Sequence, residues 1–119
     1  MEPTYAPLGP LWQGNTVTIE QGFDLTDERG RVTGRLDLFG SQVVLILHWA
    51  DQVLEREMTL SSSAGDAVLD VASADLTKAE VRALPPGRSA RYEIERRIGS
   101  NEDTLSYGEV VVAAWANEV

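Results

Sequence analysis

Arg31 to Trp49 reads RVTGRLDLFGSQVVLILHW. A charged, turn-prone start gives way at Asp37-Leu38-Phe39-Gly40 to the most apolar run in the chain. From Val43 the side chains alternate. Val43, Leu45, Leu47 and Trp49 fall on one side, and Val44, Ile46 and His48 on the other. Successive side chains of a strand point to opposite faces, so both faces of this one are largely apolar. Such a strand belongs at the centre of a sheet or under cover on both sides.

Working towards the C-terminus, Ala50-Asp51-Gln52 reads as a hairpin connection. Val53 to Leu60 interleaves charges with Leu54, Met58 and Leu60, the pattern of a strand with one face in water. Ser61 to Asp66 is a loop by composition. Ala67 to Val71 reads as a short strand with Asp70 outward. Ser73 to Glu80 carries a Ser or Asp N-cap followed by Lys78, Ala79 and Glu80, which predicts a helical turn or two ended by Pro85-Pro86-Gly87. Arg88 to Ile98 alternates, with Ala90, Tyr92, Ile94 and Arg96 on one side. Gly99 to Asp103 reads as a turn, Thr104 to Tyr107 as a short strand punctuated by Gly108, and Glu109 to Trp115 as the last strand.

Towards the N-terminus, Asp27-Glu28-Arg29-Gly30 is a polar turn closed by glycine, and Val32 begins a short extended piece. Thr16 to Glu20 reads as the first strand, broken by Gln21-Gly22, with Phe23 and Leu25 continuing beyond a bulge. About seven short strands with regular turn signals and one short helical crossover predict an all-β fold, an antiparallel β-sandwich. A small SH3-like or OB-type barrel is the alternative, and strand runs of six to nine residues favour the sandwich.

Residues 1–15 stand apart as an extended, Pro-rich N-terminal arm, leaving 16–119 as the sandwich domain. Pro3, Pro7 and Pro10 each fix φ and remove a backbone donor, which argues against regular structure. Tyr5, Leu8, Leu11 and Trp12 are nevertheless apolar. An arm with that composition packs on its own domain or docks on a neighbouring subunit.

The net charge is -9, and Lys78 is the one lysine among ten basic residues. Arg96-Arg97 is the one adjacent basic pair, with Glu93 and Glu95 beside it. Binding to nucleic acid or an anionic membrane needs grouped cations, so neither is expected as a partner. The absence of cysteine rules out disulfides, thiolate metal sites and a cysteine nucleophile. The first residues, MEPTYAPLGPLW, lack the charged and apolar regions of a signal peptide, so cytoplasmic synthesis of a soluble protein is expected.

Catalytic constellations are missing from the pattern. His48 is the single histidine, and a lone strand histidine has neither a nucleophile to activate nor fellow ligands for a metal. Two acidic clusters, Asp24/Asp27/Glu28 and Asn101/Glu102/Asp103, lack the spacing that places several oxygens on one calcium ion. No cofactor-binding motif is present. Trp49 and Tyr92 are in phase with core positions, whereas Trp12 and Trp115 lie near the chain ends, where tryptophan suits an interface. The candidate interface residues are Tyr5, Leu8, Leu11, Trp12 and Trp115.

The order of motifs resembles small structural domains of tailed phages, including the N-terminal immunoglobulin-like domain of the baseplate upper protein. Gln21-Gly22 follows the first strand, Glu28-Arg29-Gly30 forms the acidic turn, and Asp37-Leu38-Phe39-Gly40 stands where the pattern has Asp-Leu-Thr-Gly. Asp75-Leu76-Thr77-Lys78-Ala79-Glu80 matches the helical segment. Leu84-Pro85-Pro86-Gly87 precedes Tyr92-Glu93-Ile94-Glu95, and Tyr107-Gly108-Glu109-Val110-Val111-Val112 ends the series. The resemblance covers residues 16–114; Phe39 and the arm depart from it. It implies an immunoglobulin-like sandwich acting without catalysis in a tail, baseplate or head–tail region. Its partners would be other virion structural proteins, with a homo-oligomer or symmetric ring assembled in the host bacterial cytoplasm. Capsid decoration is the alternative role. A carbohydrate-binding module, which requires exposed coplanar aromatics, is the rival from another class.

Overall fold

The computed structural model describes residues 3–114. Within them the chain is mostly β. The strands are β1 Thr4–Tyr5, β2 Leu8–Trp12, β3 Val17–Gly22, β4 Asp24–Thr26, β5 Val32–Arg35, β6 Gln42–Trp49, β7 Gln52–Glu57, β8 Thr59–Ser61, β9 Val71–Leu76, β10 Gly87–Ile98 and β11 Asn101–Ala113. A single helix, α1 Lys78–Ala83, precedes β10. The largest sheet is ordered β1-β11-β10-β6-β7, with β2 also on β11. A second sheet is ordered β3-β9-β8, and β4 and β5 form a separate hairpin.

The alternation in β6 places Val43, Leu45 and Leu47 on the inner face, opposite Arg96, Ile94 and Tyr92 of β10. Val43, Leu45, Leu47, Tyr92 and Ile94 share one core with Ala90, Val110 and Val112 of the large sheet and with Ile19, Ala72, Ala74 and Leu76 of the smaller one. Val81 of α1 and Leu84 just beyond it are fully buried in the same core. β10 is the middle strand, so β6 lies one place in from the edge. Val44 and Ile46 on its outer face are still almost fully covered.

The large sheet is mixed rather than antiparallel, because β1 and β2 run parallel to β11, while the smaller sheet and the β4–β5 hairpin are antiparallel. The Pro-rich arm is therefore stranded. Its prolines are tolerated because an edge strand need not use every N–H. Pro7 falls between β1 and β2, and the Gly9–Pro10 peptide bond is cis.

Val53 to Leu60 is not one strand. The chain leaves the large sheet after Glu57 and joins the small one at Thr59. Met58 sits buried at this corner, its N–H donating to the Val43 carbonyl at 2.8 Å. Nearby, Arg56 of β7 pairs with Glu80 of α1 and donates to the Asp75 carbonyl at 2.9 Å, so it spans both layers.

The residues before Val71 form a loop, and Asp70 is buried rather than outward. Its carboxylate accepts from the Ser63 N–H at 2.8 Å and the Ser63 hydroxyl at 2.6 Å. These bonds hold it below the ordinary carboxylate range. Arg35 reaches Asp70 at 3.5 Å and also pairs with Asp66, tying the loop to β5. Ser73 to Leu76 belongs to β9, not to a helix. The helix begins after Thr77, whose hydroxyl caps the Glu80 N–H while the Glu80 side chain accepts from the Thr77 N–H. Gly99-Ser100 alone makes the β10–β11 turn, so Asn101 to Asp103 is strand.

Met58→Ala should destabilise the fold by about 2–5 kcal/mol, the usual range for truncating a buried Met. Urea unfolding checks this, and a loss near zero would mean that the corner repacks freely.

Candidate functional site

The site is built where the arm crosses β11 and where the outer face of the large sheet begins. Gly108 pairs with Tyr92 across β10–β11. The Ala6 N–H donates to the Tyr107 carbonyl at 2.9 Å, but the Ala6 carbonyl turns inward and accepts from the buried Tyr92 hydroxyl at 2.7 Å. Burial raises the Tyr92 phenol above its ordinary value, so it stays protonated as the donor. Pro7 follows with no N–H to give, and the arm's ladder resumes at Leu8.

A β-carbon on residue 108 would overlap the Ala6 carbonyl oxygen and lie 2.9 Å from its carbon. Glycine is thus required by close approach, not as a strand break. Gly9 meets the same strand, since a β-carbon there would lie 2.5 Å from the Val111 carbonyl oxygen. Its φ of +118° also favours glycine. Farther along, the Gln13 N–H donates to the Ala113 carbonyl at 3.0 Å, and its side-chain amide donates to the Leu84 carbonyl at 2.9 Å.

The register defines the outer face. One row across it reads Val53, His48, Arg91, Glu109. The next reads Glu55, Ile46, Glu93, Tyr107, Tyr5, and the third Glu57, Val44, Glu95, Thr104. Arg97 stands between Gln42 and Glu102 in the fourth. At about 4.8 Å per strand, the second row is roughly 19 Å long. Val44 and Ile46 are almost fully buried here, Val44 in register between Glu57 and Glu95 and Ile46 between Glu55 and Glu93. Tyr5 and Tyr107 meet edge to face, with ring centres 5.5 Å apart and planes at 66°, and the Tyr5 hydroxyl donates to Glu109 at 3.0 Å.

Glu93 and Glu95 project side by side from β10. Arg97 binds Glu95 at 2.8 Å and reaches Glu55 at 3.3 Å, so Glu95 titrates low. Glu93 titrates high, first because of burial and then because it shares a hydrogen bond with Glu95, while His48 opposes the shift.

The candidate interface residues are divided by this geometry. Tyr5 and Trp12 are exposed, and Leu8 is half-buried against the core. Leu11 is 4% exposed and belongs to the core, so it anchors the arm and offers no surface. Trp115 lies outside the described residues. The contacts of Tyr107, Gly108 and the Glu93–Glu95 pair are not legible from sequence spacing, because they arise only from pairing across strands. His48 is exposed on the outer face, and Trp49 packs partly buried against the core. Among the described residues no group of three or more acidic or histidine side chains is placed to hold a metal ion.

A cleft of about 770 Å³ opens beside the β4–β5 hairpin, lined by Phe23, Leu25, Leu36 and Leu105 with Asp24, Asp27 and Glu28 at its polar side. No helix among the described residues is long and apolar enough to cross a membrane. No protein-family model matches the chain, and no curated protein matches it.

Gly108→Val should dislodge the arm while keeping the strand, since its backbone is ordinary for a β-branched residue. Chymotrypsin should then release the arm at Tyr5 and Trp12 at least about tenfold faster than in the wild type, because cleavage tracks the open population. Equal rates would show that Gly108 does not seat the arm.

Glu93→Gln should stabilise the protein near neutral pH. A carboxyl with a raised folded pKa carries no penalty below its ordinary value of 4.5 and the full penalty above its folded value. The gain should therefore grow as pH rises from 4.5 and vanish below it, while the glutamine amide still donates to Glu95. Thermal unfolding across pH 3.5–7.5 (about 4 units) checks this; a gain independent of pH would contradict it.

Proposed function

We propose that this chain is a non-catalytic structural module of a tailed-phage or phage-derived particle, with an immunoglobulin-like β-sandwich as its body. The observation that carries the reading is the arm itself. Residues 4–12 are laid as edge strands along β11 over a seat that only glycine at 108 permits. A sheet edge that takes an added strand is a recurrent docking device between protein chains. The shared core of the two sheets supports the sandwich, and the motif order across residues 16–114 supports the phage connection.

The outer face supports a contact role as well. It carries exposed Val53, Tyr5 and Tyr107 among charged side chains, a mixed composition suited to a neighbour in an assembly. Partners in this reading are other particle proteins, with attachment in the tail, baseplate or head–tail region. The edge-on arrangement of Tyr5 and Tyr107 gives no flat platform for a sugar ring and weighs against a carbohydrate module on that face.

Particles concentrated from the source culture and probed with gold-labelled antibody test the proposal. Label at the tail tip, baseplate or neck is the expected result. Label spread over the head would move the role to decoration. Intact particles free of this chain by both labelling and peptide mass spectrometry, with the protein confined to soluble lysate, would overturn it.

A further inference from the structure

The arm's hydrogen bonds described above run to residues 84–113: the Leu84 and Ala113 carbonyls, the Tyr92 hydroxyl, the Tyr107 carbonyl and the Glu109 carboxylate. Its covalent link runs elsewhere. Through Gln13 to Thr16 it joins β3, which belongs to the other sheet. The segment that fills the seat is therefore attached to a different layer from the seat. The link is a tight turn, with Gly14 at φ +96° and the Asn15 N–H donating to the Trp12 carbonyl at 3.2 Å.

The seat also needs an occupant. Without the arm, β11 would present an unpaired edge over residues 106–113, with Val110 and Val112 beneath it and Leu11 withdrawn from the core. A bare edge of that length pairs readily with another chain. Every group that receives the arm is equally present in a second copy, and short, tight hinge turns favour exchange of identical segments.

We infer that the arm, residues 3–13, exchanges between copies: the β11 edge and Gly108 of one chain receive the arm of a second copy in the same parallel register. The product is a strand-swapped dimer, or an open chain of copies if the exchange does not close. This goes beyond the particle reading and stands without it, since exchange is measured on the purified chain alone.

The absence of cysteine makes the test direct. Tyr5 and Tyr107 are register partners, and paired sheet positions fall within disulfide reach. One chain carries Tyr5→Cys and a second, mass-tagged chain carries Tyr107→Cys. The two are unfolded together, refolded at high concentration and oxidised. The mixed disulfide rises above the collisional background only when the arm of one enters the seat of the other. It is expected at roughly tenfold or more above either like-with-like dimer. It should fall to that background when the acceptor also carries Gly108→Val, and it should decline when excess wild-type chain competes. A mixed disulfide no more abundant than the like-with-like dimers, or one indifferent to the competing wild-type chain, would overturn the inference.

Discussion

The carbonyl of Ala6 occupies the space that any side chain at position 108 would need. That single approach lets the arm lie against β11 and sends the carbonyl to the Tyr92 hydroxyl. It also brings Leu8 and Leu11 against the core. An unpaired backbone group costs free energy when buried, so the inward carbonyl and the tyrosine hydroxyl each satisfy the other. The arm in turn covers residues 106–113 of β11, and β7 is the large sheet's other edge. The outer face gains Tyr5 by the same docking, since its ring rests on Tyr107.

The two layers share one hydrophobic core, and specific contacts add to it. Met58 turns the chain from one sheet into the other, and Arg56 links β7 to Glu80 and Asp75. Glu80 has a second duty in the helix cap, so the ion pair and the start of α1 are coupled. On the opposite side, Asp70 and Arg35 fasten the loop before β9 to the β4–β5 hairpin. Within this frame the chemistry of the outer face is set by register. Arg97 takes Glu95 as its partner, and Glu93 beside it is left with burial and a neighbouring carboxylate.

The sequence was most legible where one periodicity ran unbroken. The alternation through Leu45 and Leu47 and through Tyr92 and Ile94 marked inner faces that the core reproduces. It failed where a residue answers to a distant segment. Gly108 read as a break because a lone glycine in a strand signals either an interruption or a close approach, and only the path of Ala6 decides between them. Strand alternation puts Asp70 outward, but the residues before Val71 form a loop and its side chain turns to Ser63. Ser73 to Leu76 carried helix-start residues but pairs with β3, and the true cap is Thr77. Of the candidate site, Tyr5 and Trp12 were legible as exposed aromatics of the arm, whereas Tyr107 was hidden in the parity of β11.

Amide hydrogen exchange of the wild-type chain, read residue by residue, tests most directly whether the arm is a docked strand. The Ala6 and Gln13 amides donate to the Tyr107 and Ala113 carbonyls, so they should be protected to a degree approaching the amides of β11. Exchange of both at the rate of an unstructured peptide, with β10 and β11 still protected, would contradict the account, since Gly108 would then be clearing space for nothing.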